Sequence, residues 1–227
     1  MRGVDEILSD RDADGVFQDR RDAAFQLADM LSDFSSSSAV VLVLPPEGVD
    51  VGIEVSRLLF LPLDAIVVRD IVSPDDPGKV LGAMAPDDTI VADDTAVDMT
   101  TLPEDLYRKA LEKARQTLAW RIDQYRESGS APQLSKRTVI FVTDGLAGPV
   151  RMLAAIKYAR KRGASRIVVA VPTATARALE ALREKADDIR CISVHTKGEF
   201  SVARAYRTPY EANESDAIAA FRMAKNL

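Results

Sequence analysis

Residues 138–157 read TVIFVTDGLAGPVRMLAAIK, and the fold turns on how this stretch divides. Its first five residues are nearly continuous in apolar character and mostly β-branched, the pattern of a strand buried on both faces rather than of a one-sided strand that alternates. From Pro149 onward the period changes. Met152, Ala155, Ile156 and Ala159 recur at helical spacing, Pro149 suits a first helical position, and Gly163 is placed to cap the end behind Lys161 and Arg162. A strand that enters a helix through Thr143-Asp144-Gly145-Leu146-Ala147-Gly148 is the repeating unit of a parallel α/β sheet.

The flanking sequence repeats that unit. Short apolar runs occur at 39–44 (AVVLVL), 65–68 (AIVV), 167–171 (IVVAV) and 189–194 (IRCISV). Between them, 22–34 place Ala23, Leu27, Met30, Leu31 and Phe34 on one helical stripe, and the serines at 35–38 form a polar linker before the first strand. The segment 93–136 differs, because 103–126 is charged and helical, with Leu106, Ala110, Leu111, Ala114, Leu118 and Ile122 near one face and Trp120 and Tyr125 as packing residues close to its end. The expectation is a single α/β domain over 1–227, with a central, mainly parallel sheet flanked by helices, right-handed crossovers and a helical insertion at about 93–136.

Composition excludes several function classes. The 227 residues, 47% hydrophobic, are too apolar for a disordered chain. Thirty Lys and Arg against 35 Asp and Glu leave a net charge of −5 without a basic block, which speaks against nucleic acid. Cys191 and His195 are the only cysteine and histidine, so neither a disulfide framework nor a Cys/His metal cage can be assembled. Cys191 reads as a small core residue and His195 as a strand-end or hinge residue. No apolar run approaches the ~20 residues that cross a bilayer. The opening MRGVDEILSDRDADG lacks the apolar stretch of a signal peptide, so the chain is expected in the cytoplasm.

In an open parallel sheet, ligands bind beyond the carboxyl ends of the strands, which makes 143–151 the leading site. Its helix start gathers free amide groups and positive dipole suited to a phosphate. The candidate ligand-binding residues are Thr143, Asp144, Gly145, Leu146, Ala147, Gly148, Val150 and Arg151, with Arg69 as an anion ligand at the tip of the 65–68 run. Lys157, Arg160, Lys161 and Arg162 read as a solvated last helical turn. The three-glycine dinucleotide spacing, the G-x-S-x-G elbow and the P-loop are all missing.

The stretch 138–157 resembles the phosphoribosyl diphosphate (PRPP) signature of type I phosphoribosyltransferases, which in a bacterial and archaeal subgroup runs V-I-L-V-D-D-G-x-A-T-G-A-T-M-x-A-A. Phe17-Gln18-Asp19-Arg20-Arg21-Asp22-Ala23-Ala24 resembles that subgroup's F-x-D-R-x-x-A-G, and Leu44-Pro45-Pro46-Glu47-Gly48-Val49 its L-P-R-G-G-V. Residues 63–70 resemble L-D-V-x-V-V-R-K, 82–85 resemble G-A-I-A, Arg121, Tyr125 and Arg126 fall on R-x-x-x-Y-R, and 202–216 resemble the closing segment.

The resemblance implies a type I phosphoribosyltransferase-like fold and a small-molecule partner: PRPP, ribose 5-phosphate or a nucleotide, with Mg2+ where PRPP is bound. Asp144 is the one candidate catalytic group, as a ribose contact. The departures fall on the chemistry. Thr143 stands for the first of two acids, and Gly148-Pro149-Val150-Arg151 for T-G-x-T, so both phosphate-gripping hydroxyls are missing and Arg151 is the available substitute. Pro46, Glu47 and Asp70 replace Arg, Gly and Lys on the diphosphate side, each making it more negative. These departures imply that diphosphate-dependent transfer is weak or lost. An active transferase joining a base or amine to PRPP and a non-catalytic interaction subunit remain the alternatives, and homo-oligomerisation stays open.

Overall fold

The computed structural model describes residues 16–93, 103–126, 131–208 and 213–225. The opening stretch 1–15 and parts of the insertion, 94–102 and 127–130, lie outside the described residues.

Helix α1 (Arg20–Met30) is followed by strand β1 (Val40–Val43), α2 (Val49–Leu59) and β2 (Leu63–Ala65). Three short strands come next: β3 (Arg69–Val72), β4 (Val80–Ala85) and β5 (Thr89–Ala92). The long α3 (Glu104–Arg126) leads to β6 (Thr138–Val142), α4 (Val150–Lys161), β7 (Arg166–Thr175), α5 (Ala176–Leu182), β8 (Asp188–His195) and the closing α6 (Glu214–Lys225). A five-stranded sheet has the order β2-β1-β6-β7-β8, with every pair parallel. All four residues of β1 are buried, as their continuous apolar run predicts, because helices cover both faces.

One face carries α1, α2 and α6 over Val41, Val43, Ile140 and Val142; the other carries α4 and α5 over Val40, Leu42, Val139 and Phe141. Alternation within each strand divides the core between the two layers. From β1 the chain winds outward to β2, and from β6 it winds the other way through β7 and β8, so the strand order reverses between β1 and β6. That reversal opens a crevice at their carboxyl ends.

The structure corrects five local readings. The 65–68 run is not one strand of this sheet: β2 ends at Ala65, Ile66 to Val68 pass buried between the sheets, and Arg69 begins β3. Arg69 therefore pairs with Met84 in an antiparallel sheet, β3-β4-β5, rather than tipping a central strand. Trp120 does not pack: it is 56% exposed, whereas Tyr125 is buried. Pro149 precedes the first helical residue, as the cap of α4. The basic residues of α4 also do more than meet solvent. Lys157 donates to the Ile90 carbonyl and Lys161 to Thr89 Oγ1, docking β5 onto the helix, while Arg160 pairs with Asp187.

Gly163 caps α4 at a φ of +81°, Cys191 is buried with its thiol pushed up to about 12 by burial, and His195 ends β8. No described helix is long and apolar enough to cross a membrane.

Candidate functional site

The crevice between β1 and β6 is a cleft of about 640 Å³. Its floor is the loop 143–149, which does not hang free. Leu146 N–H donates to the Thr173 carbonyl, Thr175 N–H to the Leu146 carbonyl, and the Thr175 hydroxyl to the Ala147 carbonyl, so the loop is laced to the end of β7. Two glycines make this packing possible. A Cβ on Gly48 would lie 2.7 Å from the Val142 carbonyl oxygen and 2.9 Å from Thr143 Cα, and one on Gly145 would lie 2.6 Å from a Val202 methyl. At Gly148 a Cβ would meet nothing within 4 Å.

Thr143, Asp144, Gly145, Leu146, Ala147, Gly148, Val150 and Arg151 all line the cleft. Arg69 is not among the lining residues; its neighbour Asp70 is. The structure adds Arg20 from α1, Asp93 after β5, Arg177 from α5 and the segment at Val202 and Ala203. Sequence reading did not place them at the site because they come from distant parts of the chain and carry no local periodicity; Arg20, in the F-x-D-R resemblance, and Val202 and Ala203, in the closing-segment resemblance, had a signal, whereas Asp93 and Arg177 had none.

Asp144 is 3% exposed. Arg20 donates to its Oδ2 from Nη2 at 2.7 Å and from Nε at 3.1 Å, and the Tyr206 hydroxyl donates to its backbone carbonyl. Burial pushes the carboxyl up to about 6, Arg20 opposes that shift, and the Glu47 charge adds to it. On the other wall, Arg151 pairs with Glu47 at 3.3 Å and donates to the Pro45 carbonyl at 3.2 Å. Burial alone would raise the Glu47 carboxyl, but the Arg151 guanidinium, with help from Arg121, holds it below the usual carboxylate range. Glu47, one of the acids read from the sequence as making this side more negative, is thus paired with a guanidinium, that of Arg151.

Arg151 retains capacity beyond this pair: its Nε is buried with no hydrogen-bond partner among the described residues. Behind the wall, Arg121 donates to the same Pro45 carbonyl at 3.1 Å and pairs with Glu214 of α6 at 2.9 Å. Among the described residues, no group of three His, Cys, Asp or Glu is placed to hold a metal ion.

No family model matches the chain. Over 204 residues, 90% of this chain, it is 32% identical to a Mycobacterium tuberculosis protein named "Putative phosphoribosyl transferase", with the same figures in two strains. The chain spans about half the length of these curated relatives, 46%. Among solved structures it is similar to TT1426 from Thermus thermophilus, with 31% identity and a TM-score of 0.74 over 90% of this chain and 97% of that one. With the signature strand, loop and helix lying at the sheet's switch point, this similarity along nearly the whole chain shows that it belongs to the phosphoribosyltransferase family.

Proposed function

We propose that the chain binds a phosphorylated ribose, as PRPP, ribose 5-phosphate or a nucleotide, in the cleft between β1 and β6, and that transfer from PRPP is weak or lost. The observation that carries the reading is Arg151: a guanidinium in the first turn of α4 with a buried, unpartnered Nε, lining the same cleft as Asp144. The first amides of α4 have no partner within the helix, and with Arg151 they make a donor set for a phosphate where the family's threonine hydroxyls are missing. Asp144, at the tip of β6, is the acceptor for a ribose hydroxyl.

Two features support weak transfer. Thr143 supplies no charge beside the cationic sugar centre that forms as diphosphate leaves. The Arg151–Glu47 pair also occupies the wall that faces the leaving group, so a diphosphate there must compete with Glu47. No described acidic cluster fits Mg2+, so Mg2+ would enter as part of the PRPP complex, held by diphosphate oxygens and water.

Calorimetric titration tests the reading, with Mg-PRPP, ribose 5-phosphate and nucleoside monophosphates as separate arms. Binding of at least one, without diphosphate release in the presence of purine or pyrimidine bases, is the expected result. Release at a rate typical of an enzyme, on the order of 1 per second or faster, overturns the loss of transfer. Heats no larger than those of dilution in every arm overturn the ligand itself.

A further inference from the structure

Arg20 opens α1, whose first turn is capped by the Asp19 side chain accepting from Asp22 N–H. This fixed start projects the guanidinium onto a carboxylate 124 residues further along the chain. Two features of the contact go beyond packing. First, both donors fall on one oxygen: Nε and Nη2 each reach Oδ2, and Oδ1 receives nothing from Arg20. Arginine–carboxylate pairs are frequently bidentate, with one donor on each oxygen, and this one is not. Second, the guanidinium is itself bracketed. Its central carbon lies 4.4 Å from the centroid of the Tyr206 ring, and the Tyr206 hydroxyl donates to the Asp144 carbonyl. Tyr206 in turn is stitched to the residues before α1, since Phe17 N–H donates to the Ala205 carbonyl and Arg207 N–H to the Phe17 carbonyl.

We infer that Arg20 is the positioning residue of Asp144: it holds one carboxylate oxygen, leaves the other for a ribose hydroxyl, and ties that carboxylate to the 202–206 segment packed over Gly145. The inference rests on the reading that Asp144 contacts the sugar. With both side chains less than a tenth exposed, the pair is shielded from water, and its geometry fixes where Oδ1 stands. The other ionisable groups around Asp144 are Glu47 from the loop before α2, Arg151 from α4 and the Tyr206 phenol. Asp70, Asp93 and Arg177 line the same cleft more broadly. Among the described residues, Arg20 is the one hydrogen-bonded to the carboxylate.

The test has two readouts on the full chain. In ligand-free protein labelled with 13C at aspartate carboxyls, the Asp144 resonance, assigned by its loss in Asp144→Asn, is titrated in wild type, Arg20→Gln and Arg20→Lys. Arg20→Gln, shorter and uncharged, moves the midpoint up by about 1–3 pH units, and Arg20→Lys, which keeps the charge, stays near wild type. An unmoved midpoint in Arg20→Gln overturns the inference.

The second readout is ribose 5-phosphate affinity at pH 7.5. Arg20→Lys keeps Asp144 ionised but cannot chelate Oδ2 through a planar fork, so affinity falls roughly tenfold or more. Wild-type affinity in Arg20→Lys means the arginine is only structural and also overturns the inference. Absence of ribose 5-phosphate binding by the wild type is the separate outcome that overturns the sugar reading, and this inference with it.

Discussion

Asp144 sits where ionising a carboxylate is costly, and that cost sets a sign. Burial raises its pKa from an ordinary 3.8 to about 6 even with Arg20 beside it, so the folded protein binds the proton more tightly than the unfolded chain. Stability therefore falls as pH rises from about 4 to about 6, and above that range the ionised group costs on the order of 3 kcal/mol. Asp144→Asn imitates the protonated form. At pH 8 it should be more stable than wild type by about 1–3 kcal/mol in urea denaturation, with the two proteins converging near pH 4, while ribose 5-phosphate binding is lost. A loss of stability at pH 8 would instead make the Arg20 pair a net stabiliser. Arg69 illustrates the limit of residue-level reading. A β-branched run before an arginine looks like a strand with a charged tip, yet the strand ended at Ala65 and the arginine opened another sheet.

At the scale of elements, the sequence was legible where burial is two-sided and illegible where it is not. Strands β1, β6, β7 and β8 lie close to their apolar runs because parallel strands between two helical layers have no polar face to interrupt them. The antiparallel sheet β3-β4-β5 escaped notice because β3 and β5 have four residues each and the VLGAMA of β4 is rich in small residues with weak strand preference. The end of β4 alternates, with Met84 in the core shared with α3 and Ala83 and Ala85 in the core shared with α4, but Leu81 falls on the Met84 side because the pairing with β3 shifts register there.

The candidate loop was found from its strand-to-helix punctuation. The pairings of Arg20 with Asp144 and of Arg151 with Glu47 were not, since the sequence separation of 124 residues in the first and 104 in the second leaves no periodic trace. Two glycines in these loops give contrasting forecasts. A methyl on Gly48 strikes the backbone of β6 and its own loop, so Gly48→Ala should cost about 1–3 kcal/mol and weaken ligand binding. Gly148→Ala enters open space and should stay within about 0.5 kcal/mol of wild type. Denaturant midpoints of the two variants check the contrast.

Across the whole molecule, the cleft is assembled from opposite ends of the chain. Its Pro45 carbonyl is held by guanidinium groups from two helices, Arg151 of α4 and Arg121 of α3, and Arg121 is anchored in turn by Glu214 at the start of α6. Arg121 is 4% exposed, so removing its carboxylate leaves a nearly buried cation with the Pro45 carbonyl and the weaker attraction of Glu47, itself paired with Arg151. Glu214 is partly open to water, which moderates the loss; Glu214→Ala should therefore destabilise the protein by about 1–3 kcal/mol, as read by thermal or urea unfolding. Ligand affinity should fall with it, because the 45–48 loop loses its support from behind. Unchanged affinity in a folded Glu214→Ala protein would show that Arg151 alone suffices to hold the wall.

The exposed indole of Trp120 gives this arrangement an optical consequence. It is the sole tryptophan of the chain and immediately precedes Arg121, whose side chain reaches the cleft wall. Selective excitation of the indole, to the red of tyrosine absorption, would excite one fluorophore at one known address, so its emission monitors the helix turn that bears Arg121 without any introduced label.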